Sequence, residues 1–267
     1  MPELPEVESV RRQLEPELTD RRVENAWWDS HPALPRQFMG LELLTGRRVL
    51  GVGRRGKFMI APLDEDLELI LHLGMTGSFR FGLEDPHVRA KLVLDDGRSL
   101  SFRDVRRFGR MAVVESGEYG GIPTLKLLGP EPLTEDFDPD RFAATLKRTS
   151  APIKPYLLSQ RPVAGVGNIY ADEALWLARI NPNSRRVGRV RAHALHAAIN
   201  EVLAAAIERE GTTFSDYAML DGASGRNADF LIAYGRAGTP CPRCRTPLRK
   251  ITLGGRGTTY CPKCQRR

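Results

Sequence analysis

Apolar residues recur at helical spacing through the first 18 residues, and this pattern predicts a helix at the N-terminus. The apolar positions share one face of that helix and are Leu4, Val7, Val10, Leu14 and Leu18. Pro2 and Pro5 fall where a first helical turn tolerates proline. Pro16 is expected to bend or end the helix, because proline has no backbone N–H to donate.

From residue 47 onward the pattern changes to short apolar segments punctuated by glycine, which predicts β-strands. These segments are 47–62, 67–82, 90–103 and 109–115. Asp96-Gly97 separates two of the apolar runs and is a strong signal for a tight hairpin. We therefore expect this half to be mainly β, a sandwich or barrel with the N-terminal helix against it.

A segment rich in glycine and proline, 117–139, predicts a linker, and the pattern beyond it is helical. Helices are predicted at 140–149, 152–160, 168–178 and 191–210. The fold class is therefore α+β. We expect an N-terminal β-sandwich domain at 1–130, a helical domain at 131–235 and a terminal β-hairpin module at 236–267.

The composition and the N-terminus indicate a cytoplasmic protein. No apolar run approaches the ~18 residues that suggest a membrane span. The chain begins MPELPEVESV, with acidic residues where a signal peptide carries basic residues before an apolar stretch. No association with a membrane is expected.

Positive charge is concentrated at the C-terminal end of the chain. The formal net charge is +7, and the segment 236–267 holds nine Lys or Arg residues and no acid, which leaves the rest of the chain nearly neutral. A basic module of this kind suits the binding of phosphates and of nucleic acid. The alternative is a basic tail that is merely solvated.

The four cysteines form a zinc-ligand pattern. Cys241-x-x-Cys244 and Cys261-x-x-Cys264 are separated by 16 residues, which fits two paired cysteines joined by a spacer of roughly 15–20 residues. Four thiolates complete a tetrahedral site and leave no open position, so one structural Zn²⁺ is expected. Disulfides are the alternative, which a cytoplasmic compartment disfavours.

Two further features suggest functional roles. The segment between the cysteine pairs predicts a β-hairpin with Arg256 in or near its glycine-rich tip, where an arginine can bind a backbone phosphate. At the other end, removal of Met1 would leave the secondary amine of Pro2 as a nucleophile able to form an iminium. Glu3 and Glu6 share one helix face close to that amine and offer acid and base roles. The alternative is an ordinary helix start with acids at its positive end.

The string PELPEVE at residues 2–8 closely resembles the N-terminus of bacterial formamidopyrimidine-DNA glycosylases. Further motifs of that family follow in order along nearly the whole chain: RRGKF at 54–58, HLGMTGS at 72–78, RRFG at 106–109, LGPEP at 128–132, VGNIYA at 166–171, YGR at 234–236 and the zinc module. Each motif alone is weak evidence, but their joint order makes a chance match improbable.

The resemblance implies a bifunctional glycosylase and lyase that removes oxidised purines, 8-oxoguanine and formamidopyrimidines, from duplex DNA. Pro2 would attack C1′ of the damaged nucleotide, Glu3 would handle protons at the opening sugar, and Glu6 would support the site. Strand cleavage would follow by β- and δ-elimination through the shared iminium. No catalytic metal or redox cofactor is implied.

The resemblance also assigns DNA contacts and sharpens the domain expectation. The implied contacts are Lys57, Asn168 and Arg256 on phosphates and Met75, Arg106 and Phe108 as groups that fill the gap left by a flipped base. The helical domain would contain the family's helix–two-turn–helix element. We expect a bacterial two-domain monomer, with DNA in a basic cleft between its halves and associated with the nucleoid when bound.

The chain departs from the family pattern at two places. Val105 stands where proline is frequent, and Arg226-Asn227 replaces the usual Tyr-Phe within residues 221–229, the lesion-capping loop associated with 8-oxoguanine recognition. Two rival functions remain at this point. The sister endonuclease VIII branch prefers oxidised pyrimidines, although Leu4 favours the formamidopyrimidine branch. A catalytically silent DNA-binding protein is the other, which the set of Pro2, Glu3, Glu6 and Lys57 disfavours.

Overall fold

A computed structural model of the chain describes residues 2–214 and 218–266. The chain divides into two compact units. Unit 1 comprises Met1–Lys126 together with Arg209–Arg226, and unit 2 comprises Leu127–Glu208 and Asn227–Arg267. The segment Arg209–Arg226 thus belongs to the unit that contains the N-terminus.

Unit 1 is a β-sandwich flanked by the helix α1 (Leu4–Leu18). Its strands are β1 (Val23–Trp28), β2 (Phe38–Met39), β3 (Gly53–Arg55), β4 (Phe58–Pro62), β5 (Leu67–His72), β6 (Gly77–Phe81), β7 (Val88–Leu94), β8 (Ser99–Asp104) and β9 (Arg110–Glu115). A 3-10 helix spans Leu41–Leu44, and a four-residue helix, α2, spans Pro123–Lys126.

Two sheets form the sandwich, with strand orders β1-β7-β8-β6 and β2-β9-β5-β4-β3. Apolar side chains of α1 share a core with side chains of both sheets, including Leu14, Leu71 and Phe102, each 1% exposed or less. Burying such side chains drives the packing of the helix onto the sheets. The prediction of a sandwich with the N-terminal helix against it is confirmed.

Several local predictions for unit 1 are confirmed and others need correction. The hairpin at Asp96-Gly97 joins β7 to β8, which pair antiparallel. The predicted strand at 47–62 is instead two strands, β3 and β4, and Lys57 lies in the turn between them rather than on a strand. The pattern missed β1 because this edge strand exposes polar and aromatic side chains along much of its length. Pro16 falls in the last turn of α1, which ends two residues later at Leu18.

Unit 2 begins as a set of helices and ends in a hairpin. The helices are α3 (Pro139–Lys147), α4 (Ile153–Leu158), α5 (Asn168–Leu177) and α6 (Arg189–Glu208), and a 3-10 helix spans Asn227–Phe230. The antiparallel strands β10 (Arg249–Leu253) and β11 (Arg256–Tyr260) form the hairpin. The four predicted helices are confirmed to within a few residues. Among the described residues, no helix combines the length and apolar character needed to cross a membrane.

Candidate active site and metal centre

The start of α1 buries an unusual set of groups near the end of the chain. Pro2 is buried, and the side chains of Glu3 and Glu6 are each 1% exposed. The Glu6 carboxylate accepts the Glu3 backbone N–H through Oε2 at 2.7 Å and the Thr212 backbone N–H through Oε1 at 2.7 Å. Glu6 therefore caps its own helix and also fixes the segment Arg209–Arg226 against it.

Burial of these carboxylates has a functional implication. Buried carboxylates are costly unless hydrogen bonds compensate them. Here both of the Glu6 oxygens accept backbone N–H groups, which orients this carboxylate beside Pro2. Met1 lies outside the described residues, so its removal remains a prediction.

Lys57 and His72 lie near each other at the ends of β4 and β5. Lys57 is 8% exposed. His72 pairs with Phe58 across the strands, and the two rings pack at a tilt of 42° with 4.6 Å between their centroids. Burial, together with the positive charges of Lys57 and Arg110, lowers the pKa of His72 to about 4. His72 is therefore neutral at pH 7. Its Nδ1 accepts the Gly74 N–H at 3.1 Å, which leaves the ring proton on Nε2.

A buried network joins the turn that carries Met75 to the turn that carries Arg106 and Phe108. Asp104, which is 0% exposed, accepts the Thr76 hydroxyl at 2.5 Å and the Gly109 N–H at 2.7 Å. Thr76 Oγ1 in turn accepts the Arg106 N–H at 3.1 Å. The two turns are thus held in one arrangement by a single carboxylate and a single hydroxyl.

Close backbone packing reinforces this arrangement. Gly74 has a φ of +63°, and a Cβ there would overlap the backbone of Phe108. Only glycine combines this conformation with so close an approach. The Phe108 ring is 50% exposed, the Arg106 guanidinium lies 4.8 Å from its centroid, and Met75 is half-buried. The structure therefore brings Met75, Arg106 and Phe108 together on adjoining turns of unit 1.

Residues 221–229, which the resemblance implies to be a lesion-capping loop, begin within unit 1. Arg226 donates its backbone N–H to the Arg209 carbonyl at 2.8 Å, and its side chain extends toward Glu210, with 3.4 Å between Nε and Oε2. Asn227, by contrast, is 4% exposed. The two residues that replace the family's usual aromatic pair thus differ, since one is a solvated cation and the other is a buried amide.

In unit 2, Asn168 is the first residue of α5 and follows Gly167 at the N-cap. Gln160 braces the preceding loop, because its Oε1 accepts the Gly165 N–H at 2.8 Å and its Nε2 donates to the Val166 carbonyl at 2.5 Å. The Asn168 Oδ1 atom is buried and has no hydrogen-bond partner within the described part of the chain. A half-buried amide at a helix start is suited to contact an anion.

The four cysteines converge as their spacing predicts. The sulfur atoms of Cys241, Cys244, Cys261 and Cys264 all lie within 4.8 Å of one another, and none is in a disulfide. Pairs of sulfurs 3.5 and 4.0 Å apart match a tetrahedron of Zn–S bonds of ~2.3 Å. The residues present therefore fit one structural Zn²⁺, and the prediction of zinc rather than disulfides is confirmed.

The zinc-bearing hairpin places Arg256 immediately after its turn. Arg256 is exposed and pairs with Leu253 across the Gly254-Gly255 turn. Beneath it lies a buried ion pair that the sequence reasoning missed, in which Lys154 Nζ is 2.7 Å from Asp172 Oδ1.

This ion pair also fixes the hairpin strand. Lys154 donates to the Gly257 carbonyl at 3.0 Å, and Asp172 Oδ2 accepts the Thr259 N–H at 2.9 Å. Burial raises the pKa of Asp172 to about 6, although Lys154 opposes that shift. In sequence the pair consists of an ordinary lysine and an ordinary aspartate on separate helices, so nothing in the pattern singled it out.

The expected site residues therefore fall into two groups. Unit 1 carries Pro2, Glu3, Glu6, Lys57, Met75, Arg106 and Phe108, and unit 2 carries Asn168, Arg256 and the four cysteines. His72 lies near Lys57 of the first group. The sequence reasoning did not single it out, although its place in the motif that also contains Met75 could have pointed to it.

Three family models match the chain in order. The formamidopyrimidine-DNA glycosylase N-terminal domain matches residues 1–111, the H2TH domain of the same enzymes matches 128–218, and the zinc finger found in FPG and IleRS matches 238–267. Full-length relatives agree. Formamidopyrimidine-DNA glycosylases of Deinococcus radiodurans and Thermus thermophilus are 47% and 46% identical, with 99% of this chain and 97% and 98% of theirs covered.

Solved structures of similar proteins have the same fold. The crystal structure of MutM (FPG) from Thermus thermophilus superposes with a TM-score of 0.93 at 46% identity, covering 99% of this chain and 98% of that one. A Lactococcus lactis FPG mutant in complex with Fapy-dG containing DNA gives 0.90 at 37% identity, with both chains fully covered. A MutM in complex with carbocyclic 8-oxo-G containing DNA gives 0.88 at 37% identity over the full length of both.

Proposed function

Because the chain belongs to the formamidopyrimidine-DNA glycosylase family, we propose that the buried start of α1 is its catalytic centre, with Pro2 as the nucleophile. The chain is a base-excision repair enzyme that removes oxidised purines from DNA and also has AP lyase activity. The observation that supports the proposed centre is the burial of Pro2 beside Glu3 and Glu6, whose side chains are each 1% exposed.

In the proposed reaction, the amine of Pro2 attacks C1′ of the damaged nucleotide after Met1 has been removed. As the bond from nitrogen to C1′ forms, the bond from C1′ to the base breaks, the base leaves with a proton and the nitrogen gives up its own. The bond from C1′ to the ring oxygen O4′ then opens, O4′ takes up a proton supplied by Glu3, and nitrogen and C1′ become an iminium. Glu6, whose two oxygens accept the N–H groups of Glu3 and Thr212, holds the site in place.

The iminium then allows strand cleavage, since it makes the neighbouring sugar protons acidic and favours β- and then δ-elimination. No step requires a redox cofactor or a catalytic metal. The Zn²⁺ held by the four cysteines stabilises the hairpin of unit 2 and leaves no position open for substrate.

The remaining predicted residues contact DNA in this proposal. Lys57, Asn168 and Arg256 bind backbone phosphates. The neutral His72 beside Lys57 offers a further N–H donor to the phosphate. Met75, Arg106 and Phe108 occupy the gap left by the flipped nucleotide. Their joined turns support this role, because a wedge must not collapse when it displaces a base.

We also propose that the enzyme acts as a monomer in the bacterial cytoplasm. The catalytic groups Pro2, Glu3, Glu6 and Lys57 all lie in unit 1 of one chain, so a second copy supplies none of them. Sedimentation of the enzyme with and without duplex DNA tests this proposal, which predicts the mass of one chain without DNA and one chain per lesion on DNA.

Substrate choice tests the function itself. We expect the protein to cleave a duplex with 8-oxoguanine opposite cytosine much faster than a matched duplex with thymine glycol. The reverse preference would identify an endonuclease VIII activity. Tight binding of both duplexes without turnover would identify a silent DNA-binding protein.

A further inference from the structure

The segment Arg209–Arg226 is fastened to α1 at two places along the helix. At the first, Glu6 accepts the Thr212 N–H at 2.7 Å. At the second, two helical turns further on, the Gln13 side-chain amide makes two hydrogen bonds. Its Oε1 accepts the Leu220 N–H at 2.7 Å, and its Nε2 donates to Asp221 Oδ2 at 3.2 Å. The helix that begins beside Pro2 therefore also positions the start of the lesion-capping loop.

The part of the loop that Gln13 contacts is a tight turn with defined geometry. The Gly222 N–H donates to the Met219 carbonyl at 2.9 Å, and the Met219 N–H donates to the Ala223 carbonyl at 3.0 Å. Asp221 Oδ1 accepts the Ala223 N–H at 2.9 Å. The Met219 side chain is 3% exposed and lies in the core of unit 1. The buried Met219 side chain thus anchors the turn to the core of unit 1.

Arg80 supports the same turn from a neighbouring strand. Gly222 has a φ of +88°, and a Cβ there would come within 2.7–2.9 Å of the Arg80 guanidinium. Any other residue would meet both backbone strain and the Arg80 side chain. The turn at residues 219–223, the stem of the loop, is therefore hydrogen-bonded to Gln13 on α1 and lies against Arg80 on β6, both of which belong to unit 1.

We propose that Gln13 is a positioning residue for base recognition, which fixes the stem of the lesion-capping loop relative to Pro2 and so sets the rate of base excision. The proposal rests on the proposed function of the Pro2 centre. Excision requires the loop to meet the damaged base, whereas cleavage at an abasic site involves no base. Loss of the Gln13 contacts therefore slows excision and leaves abasic-site cleavage unchanged.

Two single substitutions and their combination test the two hydrogen bonds of Gln13. Gln13→Glu keeps an acceptor for the Leu220 N–H but opposes two carboxylates, and Asp221→Asn opposes two amide donors. The double variant restores a complementary amide–carboxylate pair with the partners exchanged. Gln13→Met removes both hydrogen bonds at nearly constant volume. Glu17→Gln on the same helix is the matched control, because its side chain pairs with Arg98 instead.

Each variant is assayed under single-turnover conditions on an 8-oxoguanine:cytosine duplex and on the same duplex with an abasic site. We expect Gln13→Met to lower the excision rate about tenfold, equivalent to about 1.4 kcal/mol, with abasic cleavage unchanged. Each single polar variant is expected to lose excision, and the double variant to regain most of it. The control retains both activities.

Other outcomes overturn the proposal. Equal loss on both substrates would show that Gln13 serves α1 as a whole, and unchanged excision would show that the loop does not need it. Failure of the double variant to regain excision would contradict the pairing. An unsubstituted enzyme that cleaves abasic sites but releases no 8-oxoguanine would contradict the proposed function and this proposal together.

Discussion

Asp104 holds together the two turns that present Met75, Arg106 and Phe108, and its removal is predicted to loosen both. The carboxylate is fully buried and accepts the Thr76 hydroxyl at 2.5 Å and the Gly109 N–H at 2.7 Å. Asp104→Ala leaves both donors buried without acceptors. Each such donor costs about 1–3 kcal/mol, so the free energy of unfolding of unit 1 is expected to fall by about 2–6 kcal/mol.

The asparagine variant keeps one of the two acceptors. In Asp104→Asn, the amide oxygen still accepts the Gly109 N–H, but the amide nitrogen faces Thr76 Oγ1 and cannot accept its O–H. One buried donor is then left without an acceptor, and we expect a decrease of about 1–3 kcal/mol, smaller than that for alanine. Because the proposed duplex contacts of Met75, Arg106 and Phe108 depend on the same turns, Asp104→Ala is also expected to weaken binding to a duplex that contains an abasic-site analogue.

Urea unfolding followed by tryptophan fluorescence measures these differences in the stability of unit 1 alone if Trp176 is first replaced by phenylalanine. The two remaining tryptophans, Trp27 and Trp28, both belong to unit 1. Asp85→Ala is the control, because that carboxylate is partly exposed and its ion pairs are screened by solvent. A loss below about 1 kcal/mol for Asp104→Ala, or equal losses for alanine and asparagine, would refute the reasoning.

Three further predictions concern pH, a buried ion pair and salt. The pKa of His72 is lowered to about 4, so between about pH 6.5 and 4 this histidine takes up a proton only in the unfolded chain. The free energy of unfolding of unit 1 should therefore fall by up to about 3 kcal/mol as the pH drops through this range. His72→Gln should flatten this pH dependence. Lys154→Met leaves Asp172 buried and unpaired and is expected to destabilise unit 2 by about 3–5 kcal/mol, measured by the fluorescence of Trp176 during unfolding. Adding Asp172→Leu should recover much of the lost stability, and no recovery would argue against an ion-pair effect. Arg256→Ala should weaken binding of undamaged and damaged duplexes alike and reduce the slope of log Kd against log salt by about one; an unchanged slope would contradict a phosphate contact.

Features encoded locally were predictable from the sequence. The helical spacing of α1, the turn at Asp96-Gly97 and the paired cysteines each depend on residues close together in the chain. The spacing of the cysteines predicts a zinc site because the metal's geometry, and not the fold, sets the requirement. The catalytic candidates at the start of α1 could be named for the same reason, since an N-terminal proline and two nearby acids suffice to suggest them.

Features that depend on distant contacts could not be predicted in this way. Glu6 is fixed by Thr212, and Gln13 binds the backbone of Leu220. Asp104 joins two turns whose residues Thr76 and Arg106 lie 30 positions apart in the sequence. Each partner is an ordinary polar residue in its own neighbourhood, and only tertiary packing gives it a role. Lys57 was placed on a strand because Gly56 could not be distinguished from a glycine within one.

The central claim, that Pro2 is the nucleophile, is tested most directly by borohydride trapping on an 8-oxoguanine:cytosine duplex. The unsubstituted protein is compared with Pro2→Gly and with a version that keeps an N-terminal extension, and any adduct is mapped by peptide mass spectrometry. We expect a covalent adduct on Pro2 that the extension abolishes. An adduct on a lysine, or none despite tight binding and base release, would contradict the claim.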